Sequence, residues 1–245
     1  MGGWLHLARG VVPTHGVAKS KWQLGLFAEV VFWDKFIRTK GILWSEDYAR
    51  RLDPQLPLQG EICSLLPSQS DVRILDVGAG PLTALGKKCD KAHLEITAAD
   101  PLAHVYDRIL LRYDVQPLVR TQKVDAEKLT SKFAPNTFDL VFALNSIDHS
   151  YDPEQAILEM IAVTKPGCHV LLEHAINEGE NMRYRGLHQW NFSVKDDAFI
   201  IRGKKTAVDI TEKYSDLCTV ICETSQRDNS RGGKIAWLTV QMRKK

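Results

Sequence analysis

The stretch VRILDVGAGPLTALG, Val72 to Gly86, decides how this chain folds. Val72 to Leu75 are rich in β-branched and aliphatic side chains and Asp76 follows. Gly78-Ala79-Gly80-Pro81 then turns the chain into a run that can open a helix at Leu82 to Cys89. In open α/β sheets, a strand passing through a glycine turn into a helix presents a nucleotide-sized ligand. Two ligand classes use that arrangement. The dinucleotide fingerprint G-x-G-x-x-G is met at Gly78 and Gly80 but has Thr83 in its third place. Asp76 argues against it as well, because a carboxylate there faces the place of a pyrophosphate. It suits a ligand with a positive charge and an ammonium group.

Outward from this stretch, short β-rich runs alternate with helical ones. Strands are expected over 73–78, 94–100, 122–126, 138–144 and 169–175, with helices over 82–89, 104–113 and 153–163. That alternation implies a parallel sheet with helices on both faces. The tail breaks the rhythm. Residues 197–211 place two apolar runs around RGKK, a hairpin, while LCTVICETS and KIAWLTVQM flank the turn-rich QRDNSRGG as an antiparallel pair. Ahead of the first strand, WQLGLFAEVVFWDKFIRTKG sets Leu24, Phe27, Val30, Val31, Asp34 and Ile37 at helical steps. A second helix is expected over 45–52 with Ser45 as N-cap, and a third over 58–66 ending before Pro67. Residues 1–20 are Gly-rich and aperiodic and read as loose.

Length and composition, 245 residues with 44% hydrophobic and 25% charged, allow one substantial core with an appendage. Thirty-two basic against thirty acidic residues leave a net charge of only +2, with the basic residues scattered except at RGKK and the terminal RKK, so no nucleic-acid surface is indicated. The five cysteines, Cys63, Cys89, Cys168, Cys218 and Cys222, form no CxxC pair and no zinc-spaced Cys/His cluster. They read as reduced thiols in a cytoplasmic protein, with no metal expected. No run reaches membrane-spanning length and no targeting segment is evident, so a soluble, unprocessed chain without membrane association is expected.

At LDVGAG and three later motifs in register, the sequence resembles the class I S-adenosylmethionine-dependent methyltransferases, over about Arg73 to Gly167. The resemblance implies an α/β, three-layer Rossmann-like methyltransferase fold, mostly parallel with an antiparallel edge pair, and S-adenosyl-L-methionine as cofactor. It implies that Gly78 and Gly80 form the cofactor turn with Asp76, and that Asp100 beside Pro101, 22 residues after Gly78, accepts the ribose hydroxyls. Asp125, Ala126 and Glu127 follow the third strand, where that family contacts the adenine through a side-chain carboxylate and a backbone N–H, and Asp125 and Ala126 are assigned to it. Phe138 to His174 is similar to the family's fourth strand, loop, helix and KPG turn. In that family the loop holding Asn145, Asp148 and His149 meets the methionine moiety and the acceptor.

A sulfonium methyl is already activated, so the enzyme aligns a nucleophile and removes a proton where the nucleophile requires it. His149 is the candidate general base, since an unperturbed imidazole can take a hydroxyl proton at neutral pH, or it only lines the pocket. Asp148 orients that ring or caps the helix that starts near Pro153. Glu173 to Phe192 crowds polar groups after the fifth strand, and His174, His188, Gln189 and Trp190 are assigned to the acceptor, with Trp190 a stacking surface or a core plug. Residues 1–70 would form an N-terminal tail and helical cap over a core at 71–245. Trp22, Trp33, Trp44 and Tyr48 make that cap aromatic. Its segment resembles bacterial glycan-modifying methyltransferases, and Trp44 is assigned to the acceptor. Arg50 or Arg51 pairs with an acidic group of the ligands or lies at the surface. The acceptor expected is a small polar molecule, O-methylated at a hydroxyl of a sugar or related metabolite. N-methylation, a non-catalytic scaffold and a nicotinamide-dependent oxidoreductase remain as rivals; the NPPY-type tetrapeptide of base and glutamine methylation is replaced by NSID.

Overall fold

The computed structural model describes residues 19–228 and 233–245. Residues 1–18, expected to be loose, and part of the expected QRDNSRGG turn lie outside that set. The chain runs α1 (Lys19–Arg38), α2 (Ser45–Arg51), α3 (Gly60–Ser64), β1 (Asp71–Val77), β2 (His93–Ala99), α4 (Ala103–Arg112), β3 (Thr121–Gln122), β4 (Phe138–Leu144) and α5 (Pro153–Val163). It continues through β5 (Thr164–Ala175), α6 (Glu178–Asn181), β6 (Asn191–Lys195), β7 (Ala198–Arg202), β8 (Ala207–Asp209), α7 (Ile210–Lys213), β9 (Cys218–Asp228) and β10 (Lys234–Lys244). Among the described residues, no helix is long and apolar enough to cross a membrane.

Seven strands form one sheet in the order β3-β2-β1-β4-β5-β10-β9, and β10 runs antiparallel to both of its neighbours. β1 is covered on both faces, and its alternation sorts the core into two halves. Leu75 and Val77 pack with Val141, Ala143, Val170 and Leu172 on one side. Val72 and Ile74 pack with Leu140, Phe142 and Leu171 on the other, against Leu58 and Ile62. The chain leaves β1 toward β2 and β3, then returns to β4 on the opposite flank of β1. This reversal is the switch point at which open α/β sheets bind ligands, outside the carboxyl ends of the strands.

Several boundaries shift from expectation, and each has a tertiary cause. Residues 81–90 are turns and extended chain where a helix was expected. Leu82 and Leu85 are buried there, while the N–H groups of Lys87 and Lys88 donate to the Leu56 carbonyl and Leu58 N–H donates to the Lys88 carbonyl. A helix this short gains little from its own bonds, so packing against residues 56–58 wins. The third helix is trimmed to Gly60–Ser64, and the third strand is Thr121–Gln122, which shares only Gln122 with the expected 122–126. Trp44, not Ser45, stands at the N-cap position of α2, without a side-chain cap bond. Asp152, not Asp148, caps α5 by accepting from Gln155 N–H. The expected hairpin is β7–β8, and β6 joins it in a separate three-stranded antiparallel sheet. Cys63 and Cys89, far apart in sequence, meet at 2.8 Å as free thiols.

Candidate active site

One cavity, about 710 Å³ counting the space open at its mouth, lies at the switch point. Gly78, Asp100, Pro101, Ala126, Asn145 and His149 line it, gathered from the ends of β1, β2 and β4 and the turn after β3. Two glycines make the entry. Gly78 has φ +71°, and a Cβ there would lie 2.4 Å from that of Ser146. Gly80 has φ +65°, and its Cβ would lie 2.5 Å from the Trp33 ring on α1. Backbone of this handedness, pressed this closely, admits only glycine without strain.

Asp100 is buried, with Oδ2 accepting from Gly80 N–H at 3.2 Å and Oδ1 from Leu102 N–H at 2.8 Å. Burial pushes its carboxyl up to about 7, against those two backbone bonds. The Tyr106 hydroxyl also bonds this carboxylate, which offers about four acceptor sites and so keeps acceptor capacity for a ligand hydroxyl. Asp76 does not line the cavity. It is buried behind the loop, with Oδ2 accepting from Thr83 Oγ1 at 2.6 Å, and burial raises it to about 6 despite that bond and the charges of Arg51 and Lys87. Thr83, the residue that spoils the dinucleotide fingerprint, is thus the clasp of the loop. Arg51 does not face the cavity either; it donates to the Leu82 carbonyl at 2.6 Å and to Asp47 at 2.7 Å.

Asn145 adopts φ +47°, and its Oδ1 accepts from Ala175 N–H at 3.0 Å, tying β4 to β5. Asp125 is not among the lining residues; of the Asp125-Ala126-Glu127 stretch, Ala126 and Glu127 reach the wall, and the carboxylate there is that of Glu127. Its Oε1 accepts from the N–H groups of Tyr151 and Asp152, and burial lifts it to about 7. The sequence reading passed over Glu29 and Leu26 of α1 and Tyr106 of α4, which line the cavity. Their spacing carries no motif, and only the packing of α1 across the glycine turn brings them there. Trp22 Nε1 donates to the His149 carbonyl at 2.8 Å, so the same helix pins the loop after β4.

Of the five residues assigned to an acceptor, none lines the cavity. Trp190 offers no stacking surface: it is 4% exposed within the core, and its Nε1 donates to the Ser150 carbonyl at 3.1 Å. Gln189 is buried and Nε2 holds the carbonyls of Tyr184 and Gly186. Trp44 lies off the cavity beside Phe32. His174 and His188 do not line the cavity but meet His149 around a single buried carboxylate. Asp148 Oδ2 stands 3.6 Å from His149 Nε2 and 3.4 Å from His188 Nδ1, and Oδ1 stands 3.5 Å from His174 Nδ1. Burial opposes its charge, yet the surrounding imidazoles hold Asp148 well below the usual carboxylate range. Burial likewise works against a charge on His188, but the Asp148 carboxylate outweighs it and raises the imidazole.

Residues 75–172 match the profile of the methyltransferase domain family. Over that stretch, and with this fold, the chain is similar to the class I S-adenosylmethionine-dependent methyltransferases, whose cofactor is S-adenosylmethionine. An uncharacterized methyltransferase of Schizosaccharomyces pombe is 31% identical over 110 residues, which cover 42% of this chain and 40% of that relative. The chain therefore aligns with less than half of the curated relative. Two solved structures share the fold with a TM-score of 0.50 each. One is phosphoethanolamine N-methyltransferase 2 of Haemonchus contortus with S-adenosyl-L-methionine, 16% identical over 82% of this chain and 52% of that one. The other is the 4+2 cyclase SpnF, 15% identical over 95% of this chain and 100% of that one.

Proposed function

We propose that this chain transfers the methyl group of S-adenosylmethionine to a hydroxyl of a small polar acceptor of the sugar type. The observation that carries the reading is that Asp100 and His149 line one cavity. An acceptor of diol hydrogen bonds and a group able to draw off a proton thus stand across a single ligand space. In this reading Asp100 takes the ribose hydroxyls, the backbone at Gly78 and Gly80 approaches the cofactor closely, and the adenine lies between Pro101 and Ala126. The methyl then points toward the loop after β4, where His149 belongs to the Asp148 cluster. An alcohol loses its proton as the O–CH3 bond forms, and a cluster of imidazoles and a carboxylate is suited to receive it.

Titration calorimetry with S-adenosylhomocysteine and with NAD tests the first half: only the former should bind. Incubation with methyl-labelled cofactor and panels of polyhydroxylated and amine acceptors tests the second. Label on nitrogen alone would replace O-methylation by N-methylation, and binding of neither nucleotide would leave a scaffold.

A further inference from the structure

We propose that Asp148, His149 and His188 bind one divalent ion of the first transition row beside the cofactor cavity, whose remaining coordination positions receive the acceptor hydroxyl. The three donor atoms form a triangle. His149 Nε2 and His188 Nδ1 are 3.1 Å apart, His188 Nδ1 and Asp148 Oδ2 3.4 Å, and His149 Nε2 and Asp148 Oδ2 3.6 Å. Donors held at ~2.0–2.1 Å around a tetrahedral ion stand about 3.3–3.4 Å from one another, so the triangle needs almost no adjustment. Protons satisfy it poorly. Each ring nitrogen carries either one N–H or one lone pair, so a proton placed on one edge leaves the third donor facing a filled position. A cation at the centre satisfies all three.

The surroundings have the form of outer partners. Glu29 Oε2 lies 3.8 Å from His149 Nδ1, on the far side of the ring, where a carboxylate fixes the tautomer that leaves Nε2 free to ligate. Asp148 Oδ1 faces His174 Nδ1 at 3.5 Å, and both atoms are buried without a hydrogen bond. An Asp148 carboxylate turned toward an ion through Oδ2 would settle Oδ1 on that imidazole. Glu178 Oε1, 4.0 Å from His188 Nδ1, is a further donor within reach. Two imidazoles and a carboxylate suit zinc, cobalt, iron, nickel or manganese better than magnesium or calcium.

The placement assigns a task. His149 comes from the loop after β4 and lines the cavity, and His188 comes from the segment after α6, so the ion would join both at the cavity rim. A Lewis acid there lowers the pKa of an alcohol. With His149, His188 and Asp148 engaged as ligands, the hydroxyl proton passes to Glu178 or water in place of that cluster, the oxygen pair forms the O–CH3 bond, and the S–CH3 pair stays on sulfur as S-adenosylhomocysteine. This last part rests on the methyltransferase reading; ion binding does not.

The test uses chelator-stripped protein titrated with Co2+ and followed by its visible absorption, with elemental analysis of the protein as purified. One saturable equivalent is expected. Glu29→Gln should weaken it about 10–100-fold, and His188→Gln at least as much, with melting curves confirming that both variants fold. Absence of saturable Co2+ binding, or undiminished binding by folded His188→Gln, overturns the site. Stripped and loaded protein should bind S-adenosylhomocysteine within a few-fold of each other, while methyl transfer falls on stripping and returns with Co2+ or Zn2+. Equal turnover with and without the ion overturns its role toward the acceptor. If S-adenosylhomocysteine binds neither form, the proposed function fails while the ion site stands.

Discussion

Asp100 shows how one residue joins fold to ligand. It ends β2, clamps the glycine turn through Gly80 N–H and still faces the cavity. Asp100→Ala should weaken S-adenosylhomocysteine binding by about 1.5–3 kcal/mol, the range for hydrogen bonds to a charged group, or roughly ten- to a hundredfold. Unchanged affinity in a folded variant would remove Asp100 from the site. Its raised pKa of about 7 adds a signature: the ionised form accepts the ribose hydroxyls, so affinity should rise with pH through about 7 and level off above. Gly80 gives a second test. Gly80→Ala places a methyl at φ +65° against Trp33, so it should loosen α1 as well as the turn. Hydrogen exchange would show faster amide exchange in α1; unaltered protection there would mean that Trp33 tolerates the methyl.

At the scale of elements, α1 is the instructive case. Helical spacing is visible in its sequence, but the face that spacing selects is only partly the buried one. Leu24, Phe27 and Val31 are 80%, 73% and 50% exposed, while Trp22, Phe36 and Ile37 are buried. A helix rich in apolar residues on several sides leaves its orientation to whatever it packs against. Here that is α4, through Tyr106, and the glycine turn. Phe27→Ser should therefore change stability by no more than about 0.5 kcal/mol. Trp190→Ala should cost about 3–5 kcal/mol, because it empties a core site and strands the Ser150 carbonyl. Denaturant unfolding of the two variants side by side checks the contrast. A Trp190→Ala protein of undiminished stability would contradict the packing.

At the scale of the whole molecule, buried carboxyls accumulate at the cavity and behind its glycine loop. Burial raises Asp76 to about 6 and both Asp100 and Glu127 to about 7. The folded state therefore binds protons more tightly than the unfolded chain between pH ~4 and ~7. Stability from these groups is complete below their unfolded pKa and is lost as pH rises through the folded values. His188, raised above the ordinary imidazole value, acts in the same direction. Without ligand, the melting temperature should fall from pH 5 to pH 7.5, and saturating S-adenosylhomocysteine should recover more at the higher pH. A melting temperature that rises over that interval would contradict the burial of these carboxyls.

The sequence by itself determined the strands and their order of use. β-rich runs, turn glycines and helical spacing are local signals, and β4 and α5 appear at the predicted residues because neighbours along the chain suffice to define them. It also determined the ligand-bearing ends of β1 and β2, since Gly78 and Asp100 follow their strands directly. Only the tertiary structure decided which side chains meet. His149, His174 and His188 are scattered along the chain, and no spacing rule links them; the pairing of β4 with β5, and the return of the chain through β6, bring them to Asp148. The same physics moved Trp190 from pocket to core and replaced the helix at 82–89 with packed, extended chain. Burial and long-range contact outweigh local propensity wherever a short segment has more to gain from its neighbours in space than from its own hydrogen bonds.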